Sequence, residues 1–579
     1  MKRCPTCDQT YPDETLQFCR VDGALLVSDS PEAEVTRVLP ESRATGEAPT
    51  EVLRNTGEGR LTTSALKPGP PSAAIGAPRR SKRRRKLALI TSLIVLIAVV
   101  LAGYISYRHA RDTEVAIDSI AVLPFENQSH DVDSDYLSDG VTESIINNLT
   151  QLPNLKVIAR SSVFRYKGKE TDPFAVGKEL GVRAVLTGRI IQRGDNLSIS
   201  TELVDVRDNR QLWGEQYERK VSDLMSLQRD IAGQIANNLR LKISGEEHNR
   251  MMKHYTDNPE AYQLYLKGRY FWNKRTSDGL NRSIDYFNQA ITKDQAYALA
   301  YAGLADAYVV LPSYSRTPSK EAYLKARAAA TQALALDDNV AEAHTSLAMV
   351  RFWYDWGAGA EPEFKRAIEL NPNYATGHHW YSLYLSAMGR HDEAIAEMKR
   401  AQELDPFSIV INAELGLPYL YARQYDQAII RFQKAIEMDP SFAFAHFALG
   451  EAYDRKGRYE EAIAEHEKAL ALAGGDAPQV WSAMTGQLEG ANQTLGEKGY
   501  WQKRLELTKK LYEQHAATAE AVAEMYAIVG DKEQAFAWLE KSYQQHEDFL
   551  VFLKIQPEFD ALHSDPRYAD LLRRVGLTP

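Results

Sequence analysis

The feature that most constrains this chain is a self-similarity with a period of 34 residues in its second half. Pro372, Pro406 and Pro440 stand at that interval, as do Ala394, Ala428 and Ala462. Ala367, Ala401, Ala435 and Ala469 form another such series. A unit of this length holds two antiparallel helices and a turn, too little to bury its own apolar face, so neighbouring copies must stack into a continuous core. Small residues fall where paired helices approach most closely, and proline fits a helix start better than a helix interior. Residues 256–579 are therefore predicted to form an all-helical solenoid. Earlier pairs begin near Pro259 and Tyr297, and the period degenerates after Gly475 although Ala535, Phe536, Trp538 and Leu539 still read as a helix.

A chain of 579 residues is too long for one core. With 69 Lys+Arg against 78 Asp+Glu and 44% hydrophobic residues, its averages exclude wholesale disorder, a polytopic membrane protein and a generally basic nucleic-acid binder. Local concentrations say more. Leu87 to Tyr107 runs uncharged for 21 residues, which as a helix spans about 30 Å of hydrocarbon. Seven basic residues occupy the eight positions from Arg79 to Lys86, whereas on the far side Arg108 and Arg111 are followed by Asp112, Glu114 and Asp118. The positive-inside rule then predicts one transmembrane helix at 87–107, a cytoplasmic N-terminus and an extracytoplasmic remainder. Tyr104 and Tyr107 suit the exit interface.

All three cysteines lie in the first 19 residues, on the side predicted to be reducing. Cys4-x2-Cys7 and Cys19-x2-Asp22 offer four donors on two knuckles, a spacing that suits a tetrahedral zinc ion with Asp22 as the less usual carboxylate ligand. Residues 1–27 resemble the zinc-ribbon motifs at the head of many bacterial membrane and signalling proteins, usually with four cysteines. The resemblance implies one structural zinc on Cys4, Cys7, Cys19 and Asp22. Residues 28–86, rich in Ser, Thr, Glu, Gly and Pro and ending in the basic cluster, read as a disordered tether.

Beyond Asp112 the pattern is mixed. Ser119 to Phe125 reads as a buried strand, and Val141, Ile145, Leu149 and Leu152 as a helical stripe with Asp139 at its N-cap. Lys156 to Ile158 suits a second strand, and Asp172-Pro173 a cap and first helical position for a helix ending at Gly181. Alternation on both sides of Gly194-Asp195-Asn196 predicts a hairpin, Gln211 to Tyr217 a further strand, and Leu224, Leu227, Ile231, Ile235 and Leu239 a closing helix. Glu126, Asp131, Asp133, Asp135 and Asp139 lack the spacing of a calcium loop and read as a solvated acidic stretch. The segments AVLPFEN, LSDGVTESIINNL, VLTGRIIQRGDNLSISTELVD and LWGEQYER resemble the TolB-type amino-terminal domain over residues 116–245. That resemblance implies a small α/β interaction module and no catalysis.

The repeat itself resembles the tetratricopeptide pattern, most fully from Ile409 to Pro440, with Leu415, Gly416, Tyr419, Ala428, Phe432, Ala435 and Pro440 in place. The ending, from Pro557-Glu558-Phe559 to Tyr568, resembles the tail that closes such arrays, giving a cap over 558–577. The family presents a concave groove lined by the first helix of each pair. Its groove positions fall here on Glu342, Thr345, Met349, Phe352 and Trp353, then on Thr376, His379, Leu383, Ser386 and Ala387. Val410, Ala413, Leu417, Leu420 and Tyr421 follow, and then Phe444, Phe447, Glu451, Asp454 and Arg455. The set is apolar and aromatic with one charged end, and it lacks the Lys/Asn/Arg clamp for a peptide's terminal carboxylate. The expected ligand is a protein or peptide segment with large apolar anchors, received by Met349, Phe352, Trp353, His379, Leu383, Leu417, Tyr421, Phe444, Phe447 and Arg455. His378 and His379 point to different faces of a helix and are read as structural rather than as a metal pair.

No phosphate-binding glycine loop, kinase set, nucleophile elbow or His-Glu-x-x-His occurs, so no catalysis is expected. Lys2, Arg3 and Arg20 are too few for strong phosphate binding at the knuckle, and no nucleic-acid partner is expected. The whole reads as a single-pass scaffold of a bacterial inner membrane, contacting lipid through 87–107 and serving envelope assembly or signalling. The alternative is a regulatory component of a transmembrane signalling system, with cyclase- or kinase-like relatives, that relays through the knuckle.

Overall fold

The computed structural model describes residues 2–3, 10–11, 27–28, 117–129, 134–315, 317–357, 359–472 and 478–578. The chain divides into two compact units, Met1–Ala102 and Gly103–Pro579. In the first, β1 (Lys2–Arg3), β2 (Thr10–Tyr11) and β3 (Val27–Ser28) form an antiparallel sheet with β1 in the centre. Cys4, Cys7, Cys19, Asp22, the basic cluster and the apolar run 87–107 lie outside the described residues. No helix among the described residues is long and apolar enough to cross a membrane.

The second unit opens with a mixed sheet. Its elements in chain order are β4 (Ser119–Val122), β5 (Glu126–Asn127), α1 (Asp135–Thr150), β6 (Lys156–Val157), α2 (Arg160–Val163) and α3 (Pro173–Leu180). Then come β7 (Ala184–Arg193), β8 (Asn196–Asp205), β9 (Arg210–Lys220) and α4 (Leu224–Asn238). The sheet order is β6-β4-β7-β8-β9, with β5 also on β7. β4 is parallel to β6 and β7, which requires the intervening helices as crossovers, and β7, β8 and β9 are antiparallel. Arg193 faces Asn196, so Gly194-Asp195 is a two-residue turn, and the positive φ of Gly194 (60°) is what that turn demands. Leu224, Leu227, Ile231 and Ile235 of α4 are buried, as the spacing predicts. Asp172 caps α3 by accepting from the backbone of Phe174 and Ala175.

Two expectations are corrected. The first strand stops at Val122, because Pro124 has no N–H for a ladder; Phe125 turns inward and its N–H donates to Thr142 Oγ1 at 3.0 Å. Asp139 does not cap α1, which starts at Asp135. It lies buried inside the helix, 2.6 Å from Lys167 Nζ and 3.6 Å from Arg160, so an acid that reads as a cap from its neighbours is the partner of two cations brought in from α2 and the turn after it.

A short helix, α5 (Gly245–Met251), leads into helix pairs: α6 (Pro259–Trp272) with α7 (Ser277–Lys293), α8 (Ala298–Val310) with α9 (Ser319–Leu336), and α10 (Ala341–Trp353) with α11 (Ala360–Leu370). Next is α12 (Ala375–Ala387) with α13 (His391–Leu404). In the following pair the first helix is broken into α14 (Ile409–Glu414) and α15 (Gly416–Tyr421), because Pro418 cannot donate to the carbonyl of Glu414; α16 (Tyr425–Met438) is its partner. α17 (Ala443–Arg455) pairs with α18 (Tyr459–Leu472), and then come α19 (Pro478–Glu513), kinked at Gly496, α20 (Ala519–Ile528) and α21 (Lys532–Gln545). Two single-turn segments, Asp548–Phe552 and Pro557–Leu562, precede α22 (Pro566–Arg574). The close helix approach is visible at Gly416, where a Cβ would meet Phe432 at 2.3 Å. A polar brace recurs with the repeat: His344, His378 and His446 each place Nδ1 2.5–2.6 Å from Glu363, Glu397 or Glu465 and Nε2 3.0 Å from the carbonyl of Asp338, Pro372 or Pro440. Asn412 takes the same place in the copy between, donating to the Pro406 carbonyl at 2.9 Å.

The α/β part and the early repeats are not separate beads. One apolar core runs from Ile117 through α6 and α8 to Leu347. Polar contacts seal the seam. Arg269 of α6 bonds Glu143 of α1 at 2.7 Å and Asp306 of α8 at 3.3 Å, and Arg160 approaches Glu143 to 3.1 Å. Asn373 donates to the carbonyls of Thr150 and Leu152, while Asp405 accepts from Ser161 and Ser162. The loops that turn one repeat into the next thus supply the groups that hold the α/β part.

Candidate protein-binding groove

The predicted groove positions converge, and the chain itself fills most of the space between them. Phe552 enters from the C-terminal segment and lies 5.9 Å from Phe352, 5.5 Å from Trp353 and 5.3 Å, stacked, from Tyr421. Phe549 makes an edge contact with Trp353 at 5.7 Å and remains half exposed. Met349, Phe352, His379 and Leu383 are buried, Trp353, Leu417, Tyr421 and Phe444 are half-buried, and Phe447 is exposed and tilted against His466. Leu550, Val551, Leu553, Phe559 and Leu562 join the same apolar cluster as Leu415 and Leu420. Aromatic rings at 5–6 Å in edge and offset geometries are favourable contacts beyond their buried area. The cap expected at 558–577 therefore begins near 548 and closes the later groove from inside.

Charged groups fix this closure. Arg455 lies 2.8 Å from Glu558 and 2.9 Å from Glu451, and Arg423 lies 2.6 Å from Asp560. His546 Nε2 donates to the Tyr354 carbonyl at 2.8 Å, and its ring stacks on Trp356 at 4.1 Å. Glu547 accepts from the backbone N–H groups of Ala519 and Glu520 at the start of α20, where the helix dipole favours an anion. Glu451, Asp454 and His466 each offer a ligand atom within 4.8 Å of the others, the spacing of a possible metal centre. The Arg504 guanidinium bonds both Glu451, at 2.5 Å, and Asp454, and Tyr500 donates to Asp454 at 2.6 Å, so the group is an ion-pair cluster. His379 pairs with Glu414 at 2.8 Å. His378 is held by Glu397 at 2.5 Å.

Burial pushes the carboxyl of Asp548 up to about 6 and that of Glu520 up to about 7, and it raises Glu558 despite Arg455. A buried acid with a raised pKa binds its proton more tightly in the folded state than in the unfolded one. Its stabilisation is complete below the ordinary carboxylate range and is lost as pH rises through 6 and 7. Hydrogen exchange across 546–562 is therefore expected to quicken, relative to the repeats, between pH 5.5 and pH 8; protection that stays level after correction for intrinsic exchange would contradict this.

Sequence reasoning located the receptor rings and missed their occupant. The signal present was Phe549-x2-Phe552, an apolar pair next to acids, but nothing local says that it folds back on helices some 130 to 200 residues earlier. Glu451 and Arg455 lie on α17 at predicted groove positions, whereas Arg504 and Glu520, which complete the cluster, come from the degenerate part of the array where the 34-residue register is lost.

Comparison with known proteins agrees with this geometry in outline. Residues 414–477 and 375–408 match tetratricopeptide repeat models. Residues 116–234 match the second domain of the HilA/YgeH-like transcriptional regulators. The Putative adenylate cyclase 3 of Rhizobium meliloti (strain 1021) is 33% identical over 288 residues, covering 48% of this chain and 41% of its own length. The Transcriptional regulator HilA of Salmonella typhimurium (strain LT2) is 22% identical over 278 residues, covering 48% of this chain and 49% of its own length. The chain thus spans about half or less of the curated relatives it matches. Among solved structures, YrrB, a TPR protein described as having an unusual peptide-binding site, is 24% identical over 34% of this chain and 92% of its own, with a TM-score of 0.24. With matching repeat models and stacked helix pairs over the same residues, the chain carries tetratricopeptide repeats within 375–477, together with a small mixed-sheet domain.

Proposed function

We propose that this chain is a non-enzymatic scaffold that binds protein or peptide segments through the later half of its repeat groove. The observation that carries the reading is Phe552 seated among Phe352, Trp353 and Tyr421, which supports a groove built to accept an aromatic anchor. Phe549, against Trp353, and Phe447, against His466, are each about half exposed and are apolar groups that a partner can cover. Removing them costs the fold little, so Phe447→Ser with Phe549→Ser is expected to abolish crosslinking to partners in membrane extracts while leaving helical content unchanged. Crosslinking that survives the double substitution would place the partner elsewhere.

The scaffold is anchored in a bacterial inner membrane by residues 87–107, with the α/β part and the repeats outside the cytoplasm; the support is the uncharged run and the basic cluster before it. Cys4, Cys7, Cys19 and Asp22 hold one structural zinc, a reading supported by the Cys4-x2-Cys7 and Cys19-x2-Asp22 spacing. Protease added to right-side-out cells is expected to destroy the repeats and spare an N-terminal fragment that retains one equivalent of zinc. A protected repeat array would overturn the orientation, and a zinc-free fragment the metal site. The 33% identity to the Putative adenylate cyclase 3 over 48% of the chain favours a second reading, in which the matching residues regulate a signalling output; crosslinked partners that are signalling enzymes rather than envelope components would select it.

A further inference from the structure

At the seam between the α/β part and the first repeats lies a cavity of about 310 Å³, lined by α1, α4, α5, α6 and the starts of α8 and α10. This is near the lower end of the volumes that small-molecule sites occupy. Its lining combines two kinds of chemistry. Tyr255, Tyr265, Tyr297 and Glu342 line the cavity; Tyr265 and Tyr297 are nine-tenths or more buried with their rings 5.3 Å apart, and the Lys253 ammonium lies 5.4 Å from the Tyr255 ring. None of these three hydroxyls has a hydrogen-bond partner among the described residues, nor does the Glu342 carboxylate beyond its own backbone N–H. The burial of Glu342 raises its pKa, and the charge of Arg269 is already engaged by Glu143 and Asp306. Arg229, Arg250 and Lys253, half-buried, and His254, exposed, line it as well. Lys253 is paired with Asp337 at 2.6 Å and His254 with Asp257 at 3.2 Å, but Arg229 faces no carboxylate and Arg250 only reaches Glu246 at 3.9 Å.

Buried acceptors without partners are costly, and three phenols around a carboxylate are what an ammonium group needs: an anion, hydroxyl acceptors and aromatic faces. Two under-paired guanidinium groups in the same lining are what a carboxylate or phosphate needs. We infer that this cavity binds a small zwitterion, with its ammonium on Glu342 and the tyrosines and its acid group on Arg229 and Arg250. The inference is independent of the groove, which lies on later repeats.

The test is calorimetric titration of the purified full chain with γ-aminobutyrate, phosphoethanolamine, n-butylamine and butyrate. The expected result is saturable binding of at least one of the two zwitterions, with the amine and the acid alone at least about tenfold weaker. The carboxylate zwitterion and the phosphate zwitterion distinguish the two acid groups. Glu342→Gln is expected to weaken binding by at least about tenfold while melting at or above the wild-type temperature, since its carboxylate has no partner to lose. Failure of a folded chain to bind either zwitterion, equal binding of butylamine, or undiminished binding by Glu342→Gln would overturn the assignment. A Glu342→Gln chain that melts well below wild type would show a structural carboxylate and overturn it too.

Discussion

Phe552→Ala is expected to cost about 3–5 kcal/mol and to free the C-terminal segment from the groove. The side chain is 4% exposed and its ring is in contact with Phe352, Trp353 and Tyr421, which come from two different repeats and cannot close over the space left behind. The loss should be local. Residues 546–562 would become exchange-labile and Lys554 open to trypsin, while the sheet domain and the early repeats, whose core is separate, keep their protection. Unchanged protection of 546–562 in the variant would mean that the ring contacts do not hold the segment.

Arg269→Ala is expected to be as damaging, by about 3–5 kcal/mol, for an electrostatic reason. It leaves Glu143 with Arg160 and Asn273, and it leaves Asp306, whose carboxyl burial already pushes up to about 6, with only Ser346. A buried pair contributes little net stability, but removing one member strands the other in low dielectric. Arg269→Met combined with Glu143→Met is therefore expected to recover part of the loss. Denaturant unfolding followed at the sheet domain measures both, and an Arg269→Ala loss below about 1 kcal/mol would show that the seam rests on its apolar contacts alone.

Much of the fold was legible because it is written locally. The spacing of Pro372, Pro406 and Pro440 and of the alanine series follows directly from helix pairing, and the Gly194-Asp195 turn and the Asp172-Pro173 cap depend on neighbours within a few residues. The brace through His344, His378 and His446 recurs at the same period, each histidine 19 residues before its glutamate, a signal that sequence reasoning missed. Asp139 shows where local reasoning fails: a capping acid and a buried ion-pair acid look alike until Lys167 and Arg160 are brought up against it. The groove shows the same limit at longer range. Its receptors follow from the repeat register, but Phe552 and Glu558 reach them across the part of the chain where that register fades, and the cavity at Glu342 exists only because the α/β part closes over the first repeats.

The central claim is that the later groove is a receptor for an aromatic segment and that residues 548–562 are its occupant in the same chain. The most direct measurement is titration of a labelled peptide of residues 545–563 into the full chain carrying Phe549→Ala and Phe552→Ala, with circular dichroism confirming that the repeats remain helical. The account predicts saturable binding to this vacated groove, binding to the wild-type chain at least about tenfold weaker because its own segment competes, and a similar loss when Tyr421→Ala is added. No binding to the vacated groove, or equal binding with Tyr421→Ala, would contradict it.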